Sequence, residues 1–355
     1  MSILNIKHIA LLIAGNYLDH DPYTGLNHSL DLFSYAESLG FNGAWIRQRH
    51  LESGVSSAST FLAAASQRTS AIELGAAVIQ MGYESPFRLA EDLATVDILS
   101  RQRLNIGLSA GQPAHLDLIG SAVWGTGWQQ QDFSYRRIEQ LRHYLQGQYF
   151  GEADDLIESP AALQRPRIQP YAAGLSQRLW YGGGSFRSVT WAAEQGFNLL
   201  LGNLCSGEGH NDFYQAQSHL LAQYRRALGA QQQTRIAAGR VIVPTDSADQ
   251  QSLEQYRKFA QSRQQRTLAP VGERGTVYSH DLVGRSEEIV HRLMQDPVLQ
   301  QVQELRIELP YAFSHAQYQQ ILFDFSQKIA PYLGWEKCKK SATSTAPTAE
   351  QVLTE

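Results

Sequence analysis

Eight short apolar runs, each followed by a longer amphipathic or polar stretch, constrain this chain more than any other feature. They cover residues 6–13, 43–46, 72–79, 104–108, 179–181, 198–201, 235–243 and 305–309. None has the strict alternation of a sheet with one wet face. Each therefore reads as a strand buried on both sides, and such strands pair in parallel through helical crossovers. The intervening stretches 30–39, 60–66, 86–99, 135–145, 185–194, 212–228 and 252–263 read as those helices, with a last one over 315–330. Eight such units in 355 residues predict an α/β fold, a closed (β/α)8 TIM barrel. An open doubly wound sheet uses the same units, but the strand count favours the barrel.

Two segments exceed ordinary connections: 111–133, containing GSAVWGTGWQQQ, and 264–281, containing APVGERGTVYSHD. In a barrel they are long loops after strands four and seven, irregular lids on the mouth where chemistry is done. Trp124, Trp128 and His115 on the first either cover a ligand or fold the loop on itself. One domain is expected over 1–335, and the polar, Thr/Ser/Ala-rich stretch 336–355 reads as a disordered tail.

A net charge of −4 and a pI near 6.3 leave no basic footprint for nucleic acid or an anionic membrane, which favours small-molecule work. The opening run MSILNIKHIALLIAG lacks a basic leader and reads as a first strand rather than a signal peptide. No apolar stretch approaches the roughly 20 residues that span a bilayer. The two cysteines, Cys205 and Cys338, lie far apart, and the eleven histidines show no HxH or HxxxH spacing. Free thiols, a cytoplasmic location and no metal site are expected.

Three strand ends carry residues with chemistry in them. In RLWYGGGSFRSVTWAAEQGF, residues 178–197, a strand stops at Gly182-Gly183-Gly184 and Ser185 opens an amphipathic helix. Bare N–H groups at a helix start attract anions, and Ser185, Ser188 and Arg187 add hydroxyls and charge, the parts of a phosphate cradle. The same letters suit a tight turn with Ser185 as an ordinary N-cap, and the motif alone does not choose. It has neither the GK[ST] of a Walker loop nor GxGxxG. In LNIGLSAG, residues 104–111, the small residues Ser109-Ala110-Gly111 leave room for a flat ligand or simply pack closely. In GAWIRQRHLESG, residues 43–54, the run Ala44-Trp45-Ile46 stops in Arg47, Gln48, Arg49, His50 and Glu52, which is either a strand end reaching water or a site.

In chain order, the segments YAESLGFNGAWIRQRH, ELGAAVIQMGYESPFRLAEDLATVDILSRQRLNIGLSAG, LWYGGGSFRSVTWAAEQGF and LVGRSEEIVHRL resemble the bacterial luciferase-like flavin monooxygenases over most of residues 3–333. The most specific stretch is the AED helix followed by S-x-x-R-L-x-x-G-x-x-x-G. The resemblance implies a barrel that binds FMN at its C-terminal mouth, usually reduced and delivered by a separate reductase. Some relatives use a deazaflavin instead. It implies an oxygenation of a small organic substrate, and a homodimer or heterodimer. By position it gives the flavin phosphate to Gly183, Gly184, Ser185 and Ser188, with Tyr135 or Arg136 in reach. The ring falls to Ser109, Ala110 and the Ala77-Val78 strand end, which in this family often carries a non-prolyl cis peptide.

The resemblance also frames the second strand end. Where the family commonly reads Glu-His-His there, this chain reads Gln48-Arg49-His50, so Arg49 stands at the position of the catalytic histidine. A guanidinium stays charged and cannot act as a base, whereas an imidazole can. Arg49 is thus expected to stabilise negative charge on flavin, oxygen or substrate, and His50 to take any acid–base role or to be a packed histidine. Arg47 is expected to pair with Glu52 or Glu73. The other readings are a flavin-binding barrel without catalysis, a barrel for another phosphorylated ligand, and a deazaflavin-dependent reductase.

Overall fold

The computed structural model describes residues 4–160, 162–229 and 233–337. Its central sheet contains β1 (His8–Ile13), β2 (Gly43–Ile46), β3 (Glu73–Gln80), β4 (Leu104–Ser109), β5 (Leu179–Gly182), β6 (Asn198–Leu201), β7 (Ile236–Pro244) and β8 (Glu304–Glu308). All are parallel in that order, β8 pairs with β1, and the β6–β7 register Leu199↔Ile236 to Leu201↔Ala238 closes the ring. The expected TIM barrel is therefore the fold. The expected 336–355 tail lies, from residue 338 onward, outside the described residues.

The crossovers are α1 (Pro22–Leu39), α2 (Ala58–Arg68), α3 (Pro86–Leu99), α4 (Arg136–Leu145), α5 (Phe186–Glu194), α6 (Phe213–Leu228), α7 (Ser286–Met294) and α8 (His315–Asp324). Local chemistry starts most of them. Prolines open α1 and α3, and the side chains of Asp21, Ser57, Asp212 and Ser314 accept from backbone N–H groups in the first turns of α1, α2, α6 and α8. Gly40 ends α1 in the left-handed conformation.

Glycines facing indoles fill the barrel interior. Trp45 sits directly opposite Gly75 in the β2–β3 register, and a Cβ on Gly75 would run into its ring. Trp45 and Trp180 meet edge to face, 5.6 Å between centroids, and both are fully buried among Ala10, Leu12, Leu200 and Ala237. Below them, at the N-terminal end, a charged layer plugs the barrel. Arg235 reaches Glu304 (2.6 Å) and Glu73 (3.0 Å), Arg306 reaches Glu304 (2.9 Å), and His8 Nε2 lies 3.0 Å from Glu73. Each carboxylate has at least two cationic or donor partners, so burial leaves no lone charge.

Both long segments are more ordered than the irregular loops expected. The one after β4 holds a helix, Leu116–Trp124, because its own aromatics fold it down. Trp128 packs where a Cβ on Gly120 would stand, and Trp124 donates to the Gly82 carbonyl at 3.2 Å. The excursion after β7 runs through a helix, Gln250–Gln264, and returns as a strand, Thr276–Tyr278, antiparallel to Leu204–Ser206 beyond β6. That ribbon ties it to the mouth.

Candidate functional site

The strand order divides the C-terminal mouth into two arcs. On one side, β4 and β5 end in small residues beside the Ala77-Val78 stretch of β3; on the other, β2 and β8, which flank β1, end in the charged residues Arg47 and Glu308.

On the first arc, the β3–β4 register slips between Ala76 and Ile79, so Ala77 and Val78 form a bulge outside the ladder. Their peptide is cis. The Val78 side chain fills the gap between Gly107 and Gly182, lying 3.1 Å from where a Cβ on either would be. Ser109 and Ala110, half-buried, end β4 beside it, and the Ala110 N–H donates to the Tyr181 hydroxyl at 3.3 Å. Ala77, Val78, Ser109 and Ala110 thus come together on one rim.

Gly183, Gly184, Ser185 and Ser188 join them at β5. Ser185 and Ser188 cap α5 reciprocally: Ser185 Oγ accepts from Ser188 N (3.3 Å), and Ser188 Oγ accepts from Ser185 N (3.0 Å) and Gly184 N (3.2 Å). The N-cap and cradle readings of the sequence describe the same atoms. Gly183 is closed in, its N–H bonded to Leu200 O at 3.0 Å and its missing Cβ's place taken by Leu199 and Val189. Gly184 is different, since a Cβ there would meet nothing within 4 Å. Open space, two hydroxyls and helix-end N–H groups suit a phosphate. Beyond the donors that the two serines hold, the Phe186 N–H is held at 2.8 Å by the carboxylate of Glu208, whose own φ is +46°. Ser206 N, two residues earlier, donates to Gly184 O at 2.7 Å.

Tyr135 lies one helix away, its ring stacked on Trp191 (4.1 Å) and edge-on to Tyr181 (5.9 Å), with the Arg187 guanidinium 5.8 Å from its centroid. Trp191 packs against the core, as a helix aromatic is expected to.

The second arc holds the residues of the opening β2 motif. Arg47 pairs with Glu308 of β8 rather than with Glu52 or Glu73, because Glu73 begins its strand at the opposite end of the barrel while Glu308 ends its own. Burial pulls the Arg47 guanidinium down, but Glu308 and Tyr311 outweigh it and raise its pKa. Arg49 Nη2 donates to the Tyr311 hydroxyl at 2.8 Å. Gln48 points the other way, donating to Glu84 at 2.8 Å and accepting from the Ala58 N–H at 3.1 Å. His50 lies 3.0 Å from Gln48 and stacks on Tyr83 at 3.8 Å between centroids, and burial lowers its pKa. Arg49 and His50 are therefore not brought together. Arg49 joins the charged arc, and His50 joins the Gln48–Glu84 group behind the wall.

Glu308, Tyr311, Arg266 and Glu208 escaped the sequence reading. Arg266 belongs to the excursion after β7 and bonds Asp281 at 3.3 Å. A cavity of about 700 Å3 opens between Gln250–Gln264, Tyr214 of α6 and Arg292 of α7, with Arg263 and Asp281 in its lining. Among the described residues no group of three or more metal-ligating side chains converges, and no helix is long and apolar enough to cross a membrane.

Comparison with known proteins agrees with this geometry. Limonene 1,2-monooxygenase of Rhodococcus erythropolis is 37% identical over 109 residues, which are 30% of this chain and 28% of that one. The match thus spans under a third of that relative's length. Monooxygenase RslO1 from Streptomyces bottropensis superposes with a TM-score of 0.68 at 19% identity, over 92% of this chain and 99% of the other. The oxygenating constituent of 3,6-diketocamphane monooxygenase from Pseudomonas putida, a type II Baeyer–Villiger enzyme in complex with FMN, gives 0.65 at 15%, over 92% and 98%. These two likenesses establish the fold alone. The profile of luciferase-like monooxygenases matches residues 8–304, and this chain belongs to that family.

Proposed function

We propose that this protein is a two-component monooxygenase that takes reduced FMN from a separate reductase and oxidises a small organic substrate with O2. The observation behind the reading is the open space beside Gly184, at the head of α5 and on the same rim as the β3 bulge. A phosphate site and a wall of small residues adjoin there, as a flavin requires.

Bound flavin supplies the electrons and the activation of O2. The chain's residues do the rest. The Ser185 and Ser188 hydroxyls can turn from each other toward a phosphate, and Glu208 must release the Phe186 N–H to it. Ala77, Val78, Ser109 and Ala110 form the flat wall against which a ring is oriented. The segments 111–133 and 264–281 exclude water from above. Arg49 brings a guanidinium to the mouth, where it stabilises negative charge. His50, neutral at pH 7 because burial lowers its pKa, holds Gln48 in place.

Stopped-flow mixing of the protein and anaerobically reduced FMN with O2 tests this. The expected result is a reoxidation time course distinct from that of free flavin. A course identical to free flavin would overturn the monooxygenase reading. The same mixing with a reduced deazaflavin separates the reductase alternative.

A further inference from the structure

We propose that the charged arc of the mouth binds the carboxylate of a small organic acid, which makes organic acids the substrate class. The claim about catalysis rests on the monooxygenase reading; the claim about binding does not.

Arg47 is matched by Glu308, which is itself buried. Arg263 is matched by Asp281 at 2.6 Å. Arg49 is left over. Its Nη2 meets the Tyr311 hydroxyl, and its Nε, shielded from solvent, has no hydrogen-bond partner among the described residues. The nearest carboxylate to that Nε is Glu52, 4.0 Å away and with a side chain 58% exposed, too far for a hydrogen bond and largely screened by water. Arg266 repeats the pattern from another loop. It shares Asp281 with Arg263 at 3.3 Å, and its Nε is also shielded and unpartnered. Burial lowers the Arg266 pKa, and among the charges that act on it is Glu308, the partner of Arg47.

An unpaired guanidinium N–H shut away from water is costly unless an acceptor arrives with a ligand. A neutral ketone or alcohol would satisfy one donor and leave the charge. A carboxylate satisfies both, and its two oxygens match the planar donor fork of arginine. Phosphate is the other oxyanion that fits a guanidinium. The phosphate cradle, however, heads α5 after β5, on the far side of the ring from β1, so a ligand of the charged arc faces a flavin rather than forming part of one.

The test is calorimetric titration of the full chain, without flavin, by acetate, hexanoate and benzoate, with benzamide and inorganic phosphate as comparators. Wild type, Arg49→Gln, Arg49→Lys and Glu52→Gln are compared, each checked by thermal melting, and FMN is titrated into each separately. At least one carboxylate is expected to bind, benzoate at least tenfold tighter than benzamide. Arg49→Gln is expected to weaken the carboxylate at least tenfold, Arg49→Lys less, and Glu52→Gln to tighten it. Binding of no carboxylate, equal binding of benzoate and benzamide, or a folded Arg49→Gln with undiminished affinity would overturn the proposal. Tighter binding of phosphate than of any carboxylate, lost in Arg49→Gln, would overturn it in favour of a phosphorylated ligand. Failure of the flavin reading would show separately, as intact carboxylate binding with no FMN binding in wild type.

Discussion

Replacing Glu208 with glutamine is expected to tighten FMN binding by roughly 5- to 30-fold. The carboxylate holds the Phe186 N–H at 2.8 Å, within the donor set proposed for a flavin phosphate. A phosphate taking that donor must push Glu208 aside, yet the loop is tethered by Ser206 N to Gly184 O (2.7 Å) and Gly207 N to Gly275 O (2.9 Å). The displaced carboxylate therefore stays in the neighbourhood of the phosphate. For a separation on the order of 5 Å, a single charge facing a double one would repel by about 1–2 kcal/mol in a solvent-rich dielectric, a factor of roughly 5 to 30. Glutamine keeps the size and an acceptor oxygen while removing the charge. Fluorescence titration at low ionic strength reads the difference, and raising the salt should shrink it. Riboflavin, without a phosphate, should not distinguish the two proteins. A folded Glu208→Gln that binds FMN no more tightly than wild type would refute the reasoning.

Other substitutions probe the fold and the cradle separately. Gly184→Ala fills only open space, so its melting temperature should match wild type while FMN affinity falls at least tenfold by the same titration. Gly75→Ala drives a methyl into Trp45 and should cost about 1–3 kcal/mol in urea unfolding. Glu73 is held at about 2, against an ordinary 4.5, because the pairs with His8 and Arg235 outweigh its burial. Its contribution is therefore complete above pH 4.5 and is lost as pH falls from there toward 2. Its side chain is 30% exposed, so water screens it, and about 1–2 kcal/mol is expected. Glu73→Gln should flatten stability over that acid range.

The barrel was legible in the sequence because most of its buried strands are near-continuous apolar runs, which a half-exposed sheet does not make; β8, ELRIE, alternates and is the exception. Gly75 opposite Trp45 was not, since a register pairing brings them together across the β2–β3 boundary. The α7 segment SEEIVHRLM was passed over as a helix, although acids in its first turn and bases in its last mark one. The capped head of α5 was legible because glycines, a cap and a helix start are contiguous in the chain. Glu208 was invisible because it arrives from the loop beyond β6, and the pairing of β6 with β5 sets that loop beside the head of α5. Arg47 reaches Glu308 only because the closed ring lays β8 next to β1. Contacts made by barrel closure join residues hundreds of positions apart, and no local pattern announces them.

The central claim is that the head of α5 holds a flavin by its phosphate. Anaerobic titration of wild type and Gly184→Ala with reduced FMN and reduced riboflavin tests it most directly. The account expects FMN to bind wild type at least tenfold tighter than riboflavin, inorganic phosphate to weaken only the FMN curve, and the preference to vanish in Gly184→Ala. Equal binding of the two flavins, or of neither, would contradict it.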